Sequence, residues 1–402
     1  MTYQPSPEIL KKYSDLLVKY ALNSGEGVKP GEVVQVMVPE CAKPMYVPLR
    51  TSLLEAGAIP LMQYLPDDVD MAGYFNQASE EQLTFFMEKY YRGIVDQVDH
   101  SINILAEADK HELETVEPQK LISRSLAMKP YRDWRETKEN DGKFTWTLAL
   151  YGTPAMAAEV GMTEEEYWGQ IISACYLNDP DPVAKWREVS ESLEDTRGWL
   201  NSLEIQKVHV EADDIDLWVQ LGSDRHWLGG SGRNIPSFEL FISPDWRGTE
   251  GTISFNQPLY YMGKLIEGVK LRFEKGVVVE SSATRNEALL KEMIAAPNAD
   301  KIGEFSLTDG RLSHITKLMG ETLYDENRGG EQGNTHVALG NAYKDSFTGN
   351  PAKLTEGDWA ERGFNASVIH TDIISTSQRK VTAYLGDGSE VVIYANGKFT
   401  HR

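Results

Sequence analysis

Basic residues, cysteines and long apolar runs are all scarce in this chain. Lysine and arginine together number 40 against 61 aspartates and glutamates, for a formal net charge of −21 at pH 7. Nucleic acid and anionic membrane surfaces both require basic patches, so neither is expected as the main partner, whereas such acidity suits a protein that holds cations. Only Cys41 and Cys175 occur. Two distant cysteines make neither a disulfide framework nor a zinc-knuckle spacing, and a reducing cytoplasm is the expected location. No run of about 18 apolar residues is present, and "MTYQPSPEIL" lacks a basic stretch followed by an apolar one, so neither a membrane span nor a signal peptide is expected. Nucleotide-binding signals are missing as well. The first candidate strand runs into "PECAKP", with no glycine-rich turn to bring backbone amides up to a pyrophosphate. "LGGSGRN" at 228–234 is glycine-rich but sits in a strand-rich context. The absence of H-E-x-x-H excludes a helical zinc-protease site.

What remains is a globular composition, 41% hydrophobic and 25% charged over 402 residues. At about 100–200 residues per domain there is room for two or three. The first half alternates helix and strand. Ser6 and Pro7 open a helix with an apolar stripe of Ile9, Leu10, Tyr13, Leu16, Leu17 and Tyr20. "GEVVQVMVP", "IPLMQYL", "HSINILAEA" and "FTWTLALYG" read as strands. Helical segments lie between them, including one opened by a capping box at Ser79 and Gln82. Strand, helix, strand implies a parallel α/β sheet with right-handed crossovers. From about residue 205 the period changes to short strands, beginning with the hairpin "IQKVHVEADDIDLWVQLG", and a domain boundary is expected near 198–204. The predicted division is therefore an α/β domain over 1–200 and a strand-rich α+β domain over 201–402.

Four short segments of the second half carry polar groups where a strand would bury them. In "VIHTDIIS", alternation puts Val368, His370, Asp372 and Ile374 on one face. Glu239 interrupts "NIPSFELFI", Glu304 interrupts "KIGEFSL", and His336 precedes "VALG". Buried imidazoles and carboxylates need a partner network or a metal ion. Three carboxylates and two imidazoles can hold two divalent ions, because carboxylates bridge cations and neutral imidazoles each add one ligand. Taken singly, each residue is more often a solvent-face glutamate or a satisfied core histidine. His100, His111, His209, His226, His314 and His401 lack such neighbours and read as surface or core residues. At this level a dinuclear hydrolase is one hypothesis among several.

At these residues the chain resembles the M29 metallopeptidases of the aminopeptidase T and aminopeptidase S type. The resemblance runs through "VKPGEVV", "LLEAGA", "WTLALYGTPAMAAEVG", "NIPSFELF", "GEFSL", "TLYDEN", "THVALGNAY" and "SVIHTDIIS", in order and at comparable spacing. It implies a Rossmann-like N-terminal domain, a C-terminal catalytic domain, zinc or cobalt as metal with manganese as a further option, and a homodimer. Carried over, the family's metal ligands fall on Glu239, Glu304, His336, His370 and Asp372, and its active-site tyrosine on Tyr343. The implied reaction removes N-terminal residues from short peptides by means of a metal-bound hydroxide. Glu304 would bridge the metals or shuttle the proton, and Tyr343 would stabilise the oxyanion. A ring-cleaving iron(II) dioxygenase, needing only His336, His370 and Asp372, is the alternative. Two departures stand out: Phe238 replaces an expected glycine, and "DENRGGEQGNTH" is longer than the commoner form. Both bear on the shape of the pocket.

Overall fold

The structure is a computed structural model that describes residues 3–67, 70–230, 232–262 and 264–401. Ser231 of "LGGSGRN" and Gly263 of the "YYMGKLIEG" stretch lie outside the described residues. The chain forms two compact units, one of residues 1–187 with 231–235, the other of residues 188–230 with 236–402.

The first unit is built on a five-stranded parallel sheet in the order Ile59–Leu65, Val33–Pro39, His100–Leu105, Thr145–Leu150, Asn234–Ile235. Its opening helix, Pro7–Lys19, is capped as the sequence predicts, with the Ser6 hydroxyl accepting from the Ile9 amide, and it buries Leu10, Tyr13, Leu16 and Leu17. The Ser79–Gln82 capping box also forms, but the helix that it opens is short, Glu80–Thr84, and a second begins at Glu88. Between the two, Phe86 leaves the helical path to stack on Tyr91 at 5.3 Å and lie against Trp134 at 5.6 Å. Aromatic burial of this kind outweighs the modest cost of breaking one turn.

The second unit contains an eight-stranded antiparallel sheet and a five-stranded one. The smaller sheet matters most here. Its order is His370–Ser375, Asn334–Gly340, Ile302–Thr308, Glu239–Ile242, Leu228–Gly229, all antiparallel. The strands Ile302–Thr308 and Asn334–Gly340 are buried along their whole length. A one-residue bulge falls between Ile302 and Glu304. A Cβ on Gly303 would lie 2.2 Å from the Asn341 carbonyl oxygen, so only glycine lets that carbonyl approach the bulge. Gly340, at φ +105°, ends the next strand; a Cβ there would lie 2.0 Å from the Ile369 carbonyl.

Candidate metal centre

Residues opposite one another in an antiparallel ladder share a face. One rung of the small sheet carries Glu304, Ala338 and Asp372; the next carries Phe241, Ser306, His336 and Ile374; Thr308 faces Glu239 on the one after. His370, two residues before Asp372, opposes Gly340 on the same face. All five residues expected as metal ligands therefore project from one face of one sheet. Ala338 and Ser306 keep the middle of that face low.

The side chains converge. His336 Nε2 lies 3.1 Å from Glu304 Oε1, 3.2 Å from Glu239 Oε2 and 3.7 Å from Asp372 Oδ1. His370 Nε2 lies 3.5 Å from Asp372 Oδ1 and 3.8 Å from Glu304 Oε2. Glu304 thus turns one oxygen toward each imidazole. Glu239, Glu304 and His336 each offer a ligand atom within 4.8 Å of the others. His370 Nδ1 sits 2.8 Å from the Asn341 carbonyl, which can only accept, so Nδ1 carries the proton and Nε2 faces the carboxylates. That carbonyl is the one admitted by Gly303. Ser306 Oγ donates at 2.7 Å to Glu239 Oε2, the same oxygen that faces His336. Tyr343 follows the strand of His336. Its amide donates to Ser243 Oγ at 2.8 Å, and its ring lies 4.7 Å from that of His370 and 6.0 Å from that of Phe241.

Three contributors escaped the sequence reading: Ser306, Glu326 and Asn327. Glu326 is buried, and its carbonyl accepts from Asn334 Nδ2 at 2.7 Å and Thr308 Oγ at 3.4 Å, which pins it beside the rung of Glu239. "TLYDEN" was visible as a motif, but which of its acids turns inward depends on the fold. Asp325 turns into its own loop, accepting from the Met319 and Glu321 amides. Both departures are tied into the second unit. Phe238 is fully buried in the core, and the longer 328–335 segment is tied by the Tyr394 hydroxyl, which donates to the Gln332 carbonyl at 3.3 Å. A cleft of about 640 Å³ elsewhere in the second unit, lined by Lys207, Arg247 and Arg362 among others, includes none of the clustered residues.

Electrostatics show what the cluster needs. Burial pushes the Glu239 carboxyl up, to about 7 after the opposing pull of His336. Burial raises Glu326 well above the carboxylate range, and the charges of Glu239, Asp372 and Glu304 add to it. Burial lowers both imidazoles, yet Glu239, Glu304 and Asp372 together carry His336 up to about 9, and Asp372 and Glu304 carry His370 up to about 10. Burial would raise Asp372, but His370 and His336 hold it below its usual value. Were all four carboxylates ionised they would exceed what two imidazolium ions neutralise, and without a cation the raised values of Glu326 and Glu239 relieve that excess by protonation. A mixed oxygen and nitrogen donor set of this kind fits divalent cations.

A pH dependence follows. Glu239, His336 and His370 all have folded values above their ordinary ones, so each stabilises the metal-free fold fully at low pH and loses that contribution as pH rises through about 7, 9 and 10 respectively. The thermal midpoint of metal-free protein is expected to fall between pH 5 and 10. Metal loading at neutral pH should release protons, because ligating imidazoles must be neutral. Calorimetric metal titrations in buffers of different ionisation enthalpy measure that release; a buffer-independent heat would contradict the assignment.

Comparison with known proteins points to metal-dependent peptidases. Residues 6–399 match the model of a family described as thermophilic metalloproteases (M29). The chain is 26% identical to aminopeptidase PepS of Streptococcus thermophilus over 413 residues, covering 97% of each, and 28% identical to aminopeptidase T of Thermus aquaticus over 415 residues, covering 98% of each. The solved structure of wild-type AmpT from Thermus thermophilus superposes with a TM-score of 0.83 at 24% identity, covering 98% of this chain and 99% of that one, which shows a shared mixed α/β fold. With its buried acid and imidazole cluster on one sheet face, the chain belongs to the M29 metallopeptidase family and is a hydrolase of peptide bonds.

Proposed function

We propose that the protein is an aminopeptidase that removes N-terminal residues from short peptides. Its centre would hold two divalent ions on Glu239, Glu304, His336, His370 and Asp372, with Glu326 beside them. The observation that carries this reading is Glu304, whose two oxygens face two different imidazoles. Zinc and cobalt suit the mixed donor set, and manganese its oxygen-rich part. Bound there, such ions supply Lewis acidity and lower the pKa of water, so that hydroxide is available at neutral pH. The chain's own groups do the rest. Glu304 would bridge the ions or, where one oxygen stays free, take the proton of the attacking water and return it to the leaving amine. The Tyr343 hydroxyl donates to the developing oxyanion. The dioxygenase alternative has no support, since the matched family consists of metalloproteases and the cluster holds more carboxylates than a two-histidine, one-carboxylate iron site requires. A homodimer belongs to the same proposal. Exposed Phe85, Met87 and Tyr90 on the first unit supply apolar surface for one, and sedimentation at varied concentration reads it.

The test is metal-stripped protein reloaded with cobalt, zinc or manganese and assayed on aminoacyl amides and dipeptides. Free N-terminal substrates should be cleaved and their N-acetylated counterparts left intact. Equal cleavage of both would rule out an aminopeptidase.

A further inference from the structure

The side chain of Asn327 joins two segments of the centre that are otherwise distant in the chain. It is fully buried. Its Oδ1 accepts from the Phe238 amide at 2.6 Å, immediately before Glu239. Its Nδ2 donates to Glu326 Oε1 at 3.3 Å and to the Leu323 carbonyl at 3.1 Å. Its own carbonyl accepts from Ser313 Oγ at 2.5 Å, which fixes the backbone from which the amide projects.

We propose that Asn327 is a positioning residue that sets Glu326 relative to Glu239 and thereby controls the affinity of the centre for its second divalent ion. This rests on the two-ion reading above. A carboxamide offers a donor at one end and an acceptor at the other, so it spans a backbone N–H and a carboxylate at once without adding charge. Neutrality matters, because an aspartate here would be a further buried anion beside the carboxylates of Glu239, Glu304, Glu326 and Asp372. Nor is the side chain merely bracing its own turn. Asp325 already does that, holding the Met319 and Glu321 amides, while two of the three Asn327 side-chain bonds are directed to Phe238 and Glu326. Glu239 is consequently fixed from both sides, by Ser306 on its carboxylate and by Asn327 through its backbone. Partners of this kind that orient ligands are worth about 10- to 100-fold in metal affinity or activity.

Two variants separate the two ends of the amide. Asn327→Ala removes both. Asn327→Asp keeps an acceptor for the Phe238 amide and loses the donor to Glu326. In both, the second equivalent of cobalt should bind about 10- to 100-fold more weakly than in the parent, and the visible cobalt spectrum should change. At subsaturating metal kcat should fall by a similar factor while KM stays within about threefold. A purely structural brace at Phe238 predicts instead that Asn327→Asp regains parental cobalt affinity and spectrum, and that result would overturn the proposal. Parental affinity in Asn327→Ala would do the same. If either variant folds only with metal, the cobalt concentration that restores the fold gives the same affinity. Failure of the two-ion reading looks different, because the parent itself would then bind fewer than two cobalt ions.

Discussion

Glu304→Gln should take up metal at saturating concentration and still be inactive, with turnover below about a thousandth of the parent, the scale of losing a proton-transfer group together with part of the electrostatic stabilisation. The expectation comes from where the two oxygens point. Oε1 faces His336 at 3.1 Å and Oε2 faces His370 at 3.8 Å. Glutamine keeps one oxygen acceptor but replaces the other with an N–H₂ that can neither ligate nor accept a proton, directed at one of those imidazoles. Glu239 differs. Ser306 and His336 both meet the same oxygen, Oε2, so Glu239 is suited to a single ion, and Glu239→Gln should be partly rescued by excess metal. Activity against metal concentration for the two variants decides. If Glu304→Gln recovers with metal and Glu239→Gln does not, the roles are reversed.

The five expected ligands were legible because a strand imposes a period of two. His370 and Asp372 must share a face, and a glutamate or histidine inside an aliphatic strand is conspicuous. The chain order of the elements made the parallel sheet legible in the same way. Sequence could not show that these strands are neighbours, since register between distant segments is a tertiary fact: Ala338 opposing both Glu304 and Asp372 is what turns scattered residues into a cluster. Ser306, Glu326 and Asn327 were hidden for a related reason. A serine in a strand and an acid–amide pair after a short turn are ordinary surface residues by type. Only the partners at Glu239, Thr308, Asn334 and Phe238 distinguish them. The bulge at Gly303 was likewise invisible, although it admits the carbonyl that orients His370. Local pattern also misled at residues 79–91, where the capping box forms but aromatic stacking of Phe86 divides the expected helix in two.

Tyr343→Phe should keep the fold and both metals yet lose about 10²- to 10³-fold in turnover, the usual cost of removing one oxyanion donor. Although 43% of the residue is exposed, its hydroxyl is held protonated: burial pushes it well above the ordinary tyrosine value, and the charges of Glu304, Asp372, Glu326 and Glu239 push it further. A phenol in that field is a donor and not a phenolate ligand, so its loss should leave metal content unchanged. The ring is located by His370 and Phe241 and the backbone by Ser243, and phenylalanine preserves all of these contacts. A residue that only filled space would therefore tolerate the change. If the hydrogen bond forms only in the transition state, kcat should carry the whole loss and KM should move little. Steady-state kinetics together with metal analysis distinguish the cases. Near-parental turnover would remove Tyr343 from the chemistry, and a loss of metal would make it part of the ligand framework instead.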